Sequence, residues 1–471
     1  MSATLTQKLA EFAWNLKYDD IPPHVCEKIK TCVFHALCVG LAGYDLASVR
    51  LARNVVFAIG AADGGTPPCC DAFPGGGASH DGDFATLLGD GRKVRVMDAA
   101  FAGSVMLLSR VQGDTHGVTH TGPVGIPLAL ALAEAKRKSG KDFLTALTAA
   151  YEIMAAVGKD HTKACAARGF RAGSIYGVFG TATIAGLLLD LTEEQLAHAL
   201  GFASGLAFGT TESLIQGSME WRYQEGIAAR IGMLSAMLAR EGALSAPSAL
   251  EGVNGFYRAF TGRTDPPSGI LRDLGVVWES LNVRIKRYPT CIQNNSNVHN
   301  AICLARENPQ LDPARIKHIL VEMNAFEADY PGHKNWGPFK SQGQTLNSVP
   351  FCVATALLKR RLAYADLLLF EAPDVLDLVA KIEVEGREGI NELCSGITVE
   401  MRDGTKYYRK LDVTSEFYSP CFREDVALIR EMSDEIPLNS TQIDGLIDAV
   451  GSLELAQTVD PLIQHTIIGY R

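Results

Sequence analysis

The stretch RVQGDTHGVTH, residues 110–120, concentrates side chains that can transfer protons or bind anions. It holds Asp114, Thr115, His116 and His120 between glycines, directly before a long apolar segment. An imidazole beside a carboxylate can act as a general acid or base near neutral pH. Two other interpretations stay open: a zinc site from the acid and both histidines, or polar capping of the following helix. The glycines disfavour the helical face that would align two histidines on zinc, so the pattern favours proton transfer.

The elements that must position this stretch are helices over most of the chain. With 471 residues, 47% of them hydrophobic, the sequence is long enough for two domains. Ala-, Gly- and Leu-rich helical segments run from the start to about residue 275, interrupted by a predicted loop at 61–93 that is rich in Gly, Pro and Asp. Helical patterns return near the end of the chain. We therefore predict one large all-helical domain from residues 1–275 and 416–471.

The intervening residues 276–415 have a different pattern and predict a smaller α+β domain. Apolar and polar residues alternate in four segments, which indicates strands, and helical segments lie between them. The fourth segment contains the turn sequence RDGT, typical of a hairpin. The fold class is thus mainly α, with an inserted α+β domain facing the helical one, and the cleft between them is a predicted small-molecule site. The four predicted strand segments are 282–289, 316–324, 381–388 and 396–413.

Composition and charge exclude several classes of partner. The net charge is −9 and no basic stripe is present, so we expect no nucleic-acid partner. No apolar stretch reaches membrane-spanning length without charges or glycines, and the first residues lack a signal-peptide pattern. The eleven scattered cysteines are typical of reduced core thiols. These features predict a cytoplasmic protein with no membrane partner.

Six segments, in this order along the chain, resemble the MmgE/PrpD family of dehydratases, decarboxylases and epimerases. The resemblance implies a large helical domain, a smaller α+β lid and usually a homodimer. It also implies a small carboxylate as substrate, with no organic cofactor and no metal. The segments are LAEFAWNLKYDDIPPHV, DTHGVTHTGPVGIPLALALAEA, GFRAGSIYGVFGTATIAGLLLDLTEEQLAHALGFA, GSMEWRYQEGIAARIGMLSAMLAREG, LEGVNGFYRAF and IKRYPTC.

In the first family motif, an acid-rich run precedes a histidine. This chain keeps Asp114, Thr115 and His120, whereas two of the other acids are replaced. The resemblance implies that His120 is a catalytic proton-transfer group oriented by Asp114. It further implies that Thr115 and His116 contact the substrate.

The second and third motifs depart from the family pattern. Arg171 stands where relatives carry a histidine; because a guanidinium stays protonated, it suggests carboxylate binding in place of proton transfer. Trp221 stands where relatives carry a lysine, and it is either a pocket wall or ordinary core. Arg222 is positioned to restore the lost charge, and Tyr223 flanks it. All four are predicted substrate-binding residues.

The fourth motif reads Lys-x-x-Pro in relatives, followed by a histidine. This chain keeps Lys286, whereas the histidine position falls on Asn295 or Ser296. The resemblance implies that Lys286 is a catalytic cation carried by the lid. Arg287 and Asn295 are predicted to bind substrate, and Tyr330 lies roughly where relatives place a lid tyrosine.

These motifs predict a cofactor-independent lyase that removes an α-proton from a small carboxylic acid and then eliminates water or carbon dioxide. The altered motifs indicate a specialised, biosynthetic pathway. An isomerase or epimerase that uses the same proton abstraction is the first alternative. A non-catalytic, carboxylate-binding relative is the second, and the retention of His120 and Lys286 favours catalysis over it.

Overall fold

The computed structural model describes residues 3–62, 84–117, 119–412 and 415–469. Helices account for 59% of the residues and strands for 9%, which confirms the predicted mainly α fold with a smaller α+β part. Among the described residues, none of the helices combines the length and apolar character that a bilayer crossing requires.

The first part of the chain forms a body of helices packed on all sides. Helix α8 is apolar around its whole circumference and buries every residue except Leu187, because α1, α5, α6, α9 and α11 cover it. The helices are α1 Leu5–Asn15, α2 Pro23–Leu41, α3 Ala47–Ala62, α4 Val96–Leu108, α5 Thr121–Ala135, α6 Gly140–Gly158, α7 Thr162–Ala167, α8 Ala172–Leu188, α9 Glu193–Leu206, α10 Glu212–Gln216, α11 Trp221–Arg240, α12 Phe256–Thr261 and α13 Ile270–Asp273.

Small residues set the distance between α8 and α11. A Cβ atom added to Gly232 of α11 would lie 2.5 Å from the backbone nitrogen of Ala182 on α8. One turn away, the hydroxyl of Thr181 donates a hydrogen bond of 3.0 Å to the carbonyl of Ala228 across the same interface. The Gly- and Ala-rich composition of these segments therefore has a direct packing reason.

The second part of the chain forms a four-stranded sheet with a core of its own. Strand β3 lies between β4, which is parallel to it, and β5, which is antiparallel, and β6 pairs antiparallel with β5 at the other edge. The side chains of β3 alternate between more and less buried positions. The strands are β3 Ile316–Asn324, β4 Ile382–Arg387, β5 Ser395–Met401 and β6 Lys406–Leu411.

Helices cover this sheet and follow it. Helix α14 packs against β5 and β6, and α17 packs against α14 and β4. A separate buried cluster runs from Val298 to Met401, with Leu108, Val111 and Trp221 as its contributions from the helical body. The helices are α14 Asn295–Glu307, α15 Ala325–Ala328, α16 Gln342–Asn347, α17 Val349–Lys359, α18 Pro373–Val379, α19 Ser415–Tyr418, α20 Phe422–Glu431, α21 Ser440–Gly451 and α22 Asp460–Gln464.

Two predicted elements differ from the structure. The predicted strand at 282–289 forms only one bridge, between Arg284 and Thr115, because Thr115 belongs to a tight loop that offers no strand to extend the pairing. The predicted loop at 61–93 lies partly outside the described residues, and its end forms an antiparallel pair of strands, β1 Phe84–Thr86 and β2 Lys93–Arg95. Tertiary contact stabilises this short hairpin, since Glu134 of α5 accepts hydrogen bonds from Thr86.

The last helices return to the helical body through a buried charged pair. Helices α20 and α21 pack against α2. Nδ1 of His35 on α2 lies 2.8 Å from the carboxylate of Asp425 on α20, and Nε2 lies 3.1 Å from the carbonyl of Gln112. The carbonyl of Gln112 can only accept, so Nε2 carries a proton and donates to it. Burial lowers the pKa of His35, but Asp425 and the two hydrogen bonds outweigh it and raise the pKa overall.

The bounds of the two domains, 1–275 with 416–471 and 276–415, stay a prediction.

We expect Gly232→Ala to lower the free energy of unfolding by about 2 kcal/mol, because the new methyl group overlaps the α8 backbone, which cannot move independently of its helix. Urea unfolding followed by circular dichroism measures the change. Gly205→Ala is the matched control: Gly205 lies in α9 with no atom within 4 Å of an added Cβ. Equal destabilisation by both substitutions would contradict the packing argument.

Candidate active site

The carboxylate of Asp114 anchors the loop at residues 110–120 to two helices. It accepts hydrogen bonds from the hydroxyl of Thr121 (3.0 Å) and the backbone nitrogen of Gly122 (3.0 Å) at the start of α5, and from the hydroxyl of Tyr151 (2.7 Å) on α6. Burial raises the pKa of Asp114, and these three donors oppose the increase. A Cβ on Gly122 would lie 2.1 Å from a carboxylate oxygen, so only glycine fits there. The carboxylate of Asp114 therefore holds the start of α5 and makes no hydrogen bond to the His120 imidazole, which is bonded to the Asp114 backbone.

The next residue, Thr115, joins this loop to the segment that carries Lys286. Its backbone exchanges two hydrogen bonds with Arg284, of 2.9 and 2.7 Å. On the other side, the nitrogen of Ile285 donates to the carbonyl of Tyr418 (2.8 Å). The chain from 284 to 286 is thus held between the loop and α19. This bridge brings Lys286 close to His120 although 166 positions separate them in the sequence.

Lys286 is a buried cation with no internal partner in the described part of the chain. Its side chain is 1% exposed, and its ammonium makes no hydrogen bond or ion pair with any described residue. Burial lowers its pKa to about 8; Asp114, Glu225 and Cys291 oppose that shift, whereas the positive charge of Arg171 adds to it. A buried ammonium without a counter-ion is costly, so its presence indicates a site for an anion from outside.

His120 is the residue before α5 and faces the same two cations. Its Nδ1 is buried and has no hydrogen-bond partner among the described residues. Burial, followed by the charges of Lys286 and Arg171, holds the pKa of His120 well below its ordinary value. The imidazole is therefore neutral at pH 7, with a ring nitrogen available to accept a proton.

Arg171, the residue before α8, is paired with a buried glutamate. Its guanidinium contacts both carboxylate oxygens of Glu225 on α11, at 2.7 and 3.0 Å, and also donates to the carbonyl of Trp221 and the side chain of Gln224. Burial raises the pKa of Glu225, and Arg171 opposes this. A Cβ on Gly173 would lie 2.3 Å from a Glu225 oxygen, so the glycine leaves room for the acid.

Tyr330 and Cys291 complete the group around Lys286. Burial raises the pKa of Tyr330, with Cys291 adding to the rise and Arg171 opposing it, so both groups lie within electrostatic range of the phenol. Burial also raises the pKa of the Cys291 thiol, to about 11, whereas Lys286 lowers it. Both groups are thus neutral at pH 7 and can act only as hydrogen-bonding partners. The structure brings together four of the predicted residues, His120, Arg171, Lys286 and Tyr330.

Trp221, Arg222 and Tyr223 begin α11 and have separate environments. The Trp221 ring is 7% exposed, belongs to the α+β core cluster, and lies beneath two guanidinium groups, with the Arg222 carbon 4.2 Å and the Arg171 carbon 5.5 Å from its centroid. Arg222 donates to the carbonyl of Ser109 (2.8 Å). Tyr223 is half-buried against the helical core. Trp221 thus adjoins the group around Lys286, and Arg222 is used to hold the chain before the 110–120 loop.

His116 points away from His120. Its Nε2 lies 3.2 Å from the carboxylate of Glu279, and that hydrogen bond is the largest of the influences that lower the pKa of Glu279 to about 2. Lys159 contacts the same carboxylate at 3.0 Å. Asp114, His116 and His120 therefore face different partners. No cluster of three or more His, Cys, Asp or Glu side chains suited to a metal occurs within residues 3–62, 84–117, 119–412 and 415–469.

The remaining predicted residues, Arg287 and Asn295, make hydrogen bonds to other protein groups around the segment that follows Lys286. Arg287 donates to the carbonyl of Phe417 (3.1 Å). The Asn295 side chain accepts from the nitrogen of Tyr288 (3.0 Å) and donates to the hydroxyl of Thr290 (2.9 Å). Ser296, the other residue at that motif position, is buried beside it. Their predicted contacts with substrate stay predictions.

Sequence reasoning missed two residues of this group, Glu225 and Cys291. Glu225 lies one helical turn after Trp221, a spacing that places both on one face of α11. An acidic residue one helical turn after a motif position is a signal from which Glu225 could have been predicted. Cys291 follows Lys286 in the same irregular segment, and no periodic pattern marks it.

We expect Tyr151→Phe to lower the free energy of unfolding by about 2 kcal/mol, because it removes one of three donors to a buried carboxylate. Chemical unfolding at pH 7 measures the loss. Tyr223→Phe is the control, since the Tyr223 hydroxyl makes no hydrogen bond to the described residues and its removal should leave stability unchanged. An unchanged free energy of unfolding in Tyr151→Phe would show that Asp114 does not depend on this donor.

Comparison with known proteins agrees with the resemblance in the sequence. Residues 7–268, more than half of the chain, match the model of the MmgE/PrpD N-terminal domain. A cis-aconitate decarboxylase of Aspergillus terreus (strain NIH 2624 / FGSC A1156) is 26% identical over 98% of this chain and 95% of the relative. The cis-aconitate decarboxylase-like protein oryM of Aspergillus oryzae (strain ATCC 42149 / RIB 40) is 25% identical over 98% of this chain and 96% of its own length. The chain therefore belongs to the MmgE/PrpD family.

Proposed function

We propose that this protein is a cofactor-independent lyase that acts on a small carboxylic acid, with His120 as the proton-transfer group and Lys286 as the cation that binds the carboxylate. One observation carries the proposal: a neutral imidazole with a free ring nitrogen lies within electrostatic range of a buried ammonium that has no partner among the described residues. A base near an unpaired cation is what removal of a proton next to a carboxylate requires.

The chemistry follows from these two charges. The carboxylate of the substrate pairs with the ammonium of Lys286, and Nδ1 of His120 takes the proton from the adjacent carbon. Negative charge that develops on the carboxylate oxygens is stabilised by the same ammonium, in a site with little water to screen it. In a dehydration, a carbon–carbon double bond forms, the β-hydroxyl leaves, and the imidazolium returns its proton to make water.

A decarboxylation differs in the bond that breaks. Carbon dioxide leaves, the electron pair of the broken carbon–carbon bond stays on the substrate carbon, and His120 delivers to that carbon a proton that it has taken from water, so that hydroxide is the other product. The family and the two decarboxylase-type relatives support a lyase of this general kind. An isomerase would return the proton without breaking a second bond, and product analysis separates the two.

Assembly and location belong to the same proposal. The family resemblance implies a homodimer, and exposed apolar side chains that repeat at helical spacing on α3 and α11 support association with a second copy. Both helices pack on α4. The side chains are Leu51, Val55 and Ile59 on α3, and Leu234 and Leu238 on α11. Cytoplasmic location and a specialised biosynthetic pathway stay predictions.

We expect His120→Gln to slow the exchange of substrate α-protons with deuterated water by a factor of about 10²–10⁴, because a positioned base is lost. Nuclear magnetic resonance of a panel of mono-, di- and tricarboxylic acids, incubated with the protein in deuterated water, measures the exchange. New product signals would distinguish elimination from isomerisation.

His299→Gln is the matched control for this experiment. His299 lies one helical turn after Asn295, bonded to the Tyr288 hydroxyl (3.0 Å) and packed on the Phe417 ring, outside the group around Lys286. The His299→Gln variant should catalyse the exchange of substrate α-protons at about the wild-type rate. Wild-type exchange in His120→Gln would remove His120 from the mechanism.

We expect the rate of the reaction to fall as pH rises through about 8, because Lys286, whose pKa is lowered to about 8, loses its charge there. His120 stays neutral down to acidic pH since its pKa is lowered, so no second decrease is expected near pH 6.5. In Lys286→Arg, the cation persists at high pH and the decrease near pH 8 should disappear. Lys410→Arg, at an exposed lysine, should leave the profile unchanged. Initial rates over a pH series decide between these outcomes.

A further inference from the structure

The site around His120 has one cation available for a ligand. Lys286 has no internal partner among the described residues, whereas Arg171 holds two contacts to the carboxylate of Glu225. His120 is neutral. The charges of Lys286 and Arg171 both lower the pKa of His120. The carboxylate of Asp114 is bonded to three neutral donors and Glu225 pairs with Arg171, so Lys286 is the cation without a counter-ion in contact among the described residues.

Glu225 withholds Arg171 from the ligand. Contacts of 2.7 and 3.0 Å to a guanidinium that never deprotonates keep this acid ionised. The Nη1 atom of Arg171 also donates to the Trp221 carbonyl and to the Gln224 side chain, so the hydrogen bonds of this nitrogen are made within the protein. A second carboxylate on a ligand would have to compete with the buried Glu225 for the guanidinium.

The other arginines of the site motifs face elsewhere. Arg222 donates to the carbonyl of Ser109 and lies over the Trp221 ring. Arg287 donates to the carbonyl of Phe417 and packs over its ring. Neither supplies a second counter-charge beside His120.

The flank of the site next to Arg171 is aromatic and apolar. Trp221 is buried in one cluster with Leu108, the last residue of α4, and with Val111 of the 110–120 loop. Tyr330 and Cys291, which lie within electrostatic range of the same site, are neutral. These surfaces suit a hydrocarbon or aromatic group better than a charged one.

We infer that this site takes an acid with a single carboxylate and an uncharged, apolar remainder, and that the Arg171–Glu225 pair selects against di- and tricarboxylates. The inference rests on the proposed function, in which Lys286 binds the carboxylate next to the reacting carbon. Glu225 acts in it as a specificity-determining residue, through Arg171 and without touching the ligand.

Binding of two acids of equal length tests this selectivity: hexanoate, with one carboxylate, and adipate, with two. Isothermal titration calorimetry of the full chain at pH 7 should show hexanoate binding more tightly than adipate by at least about tenfold, because an unpaired carboxylate in a buried site costs more than the ~1.4 kcal/mol that tenfold represents. Adipate binding as tightly as hexanoate, or no binding of either acid at millimolar concentration, would overturn the inference.

Two variants assign the preference to the ion pair. Glu225→Gln releases the guanidinium, so adipate should gain about tenfold relative to hexanoate. The double variant Arg171→Gln with Glu225→Gln removes both charges and should keep the wild-type preference. Circular dichroism checks folding; if Glu225→Gln does not fold, the wild-type ratio and the double variant decide the question. An unchanged ratio in a folded Glu225→Gln would overturn the role of Glu225.

These measurements separate the inference from the proposed function, since equilibrium binding does not require turnover. A hexanoate preference without α-proton exchange for any acid would leave the selectivity standing and reject the lyase. Exchange that depends on His120 but is fastest with a tricarboxylate would support the lyase and reject the selectivity. The relative rates with hexanoate-type and adipate-type acids therefore complete the test.

Discussion

The buried carboxylate of Asp114 is the constraint on which the candidate site depends. A carboxylate inside a protein must be satisfied by donors, and Asp114 obtains three of them from the starts or sides of α5 and α6. Those bonds fix the loop at residues 110–120 to the helical body. Once the loop is fixed, the bridge from Thr115 to Arg284 has one possible position, and Lys286 follows two residues later. A polar group with a structural role thereby sets the distance between the proposed base and the proposed cation.

Two of the departures from the family motifs, Arg171 and Trp221, contact each other in the structure. Arg171 and Trp221 lie far apart in sequence, but the guanidinium donates to the Trp221 carbonyl and lies 5.5 Å from its ring. Glu225, on the same face of α11 as Trp221, completes the arrangement. A histidine and a lysine of the usual pattern are thus replaced by an arginine whose charge is balanced inside the protein and by an apolar ring. On the inference drawn above, the positive charge offered to a ligand is therefore smaller than in the family pattern.

Pattern and composition predicted the architecture well, because burial and periodicity are properties of short segments. The apolar helices α5 and α8, the strands β3 to β6 and the hairpin between β5 and β6 all follow from local sequence. The segment 282–289 has the alternation of a strand but pairs at only one residue, since pairing also needs a partner that the local sequence does not contain. The short hairpin of β1 and β2 likewise depends on Glu134, a distant residue.

The sequence by itself determined which residues can do chemistry: His120 and Lys286 are identifiable from type, spacing and family pattern. Tertiary structure decided which of the candidates lie within electrostatic range of one another and in which direction their pKa values shift. It turns His116 toward Glu279, commits Arg171 to Glu225, and leaves Lys286 without a partner among the described residues. The physical reason is that pKa values and ion pairing depend on burial and on neighbours distant in the chain, which no local pattern encodes.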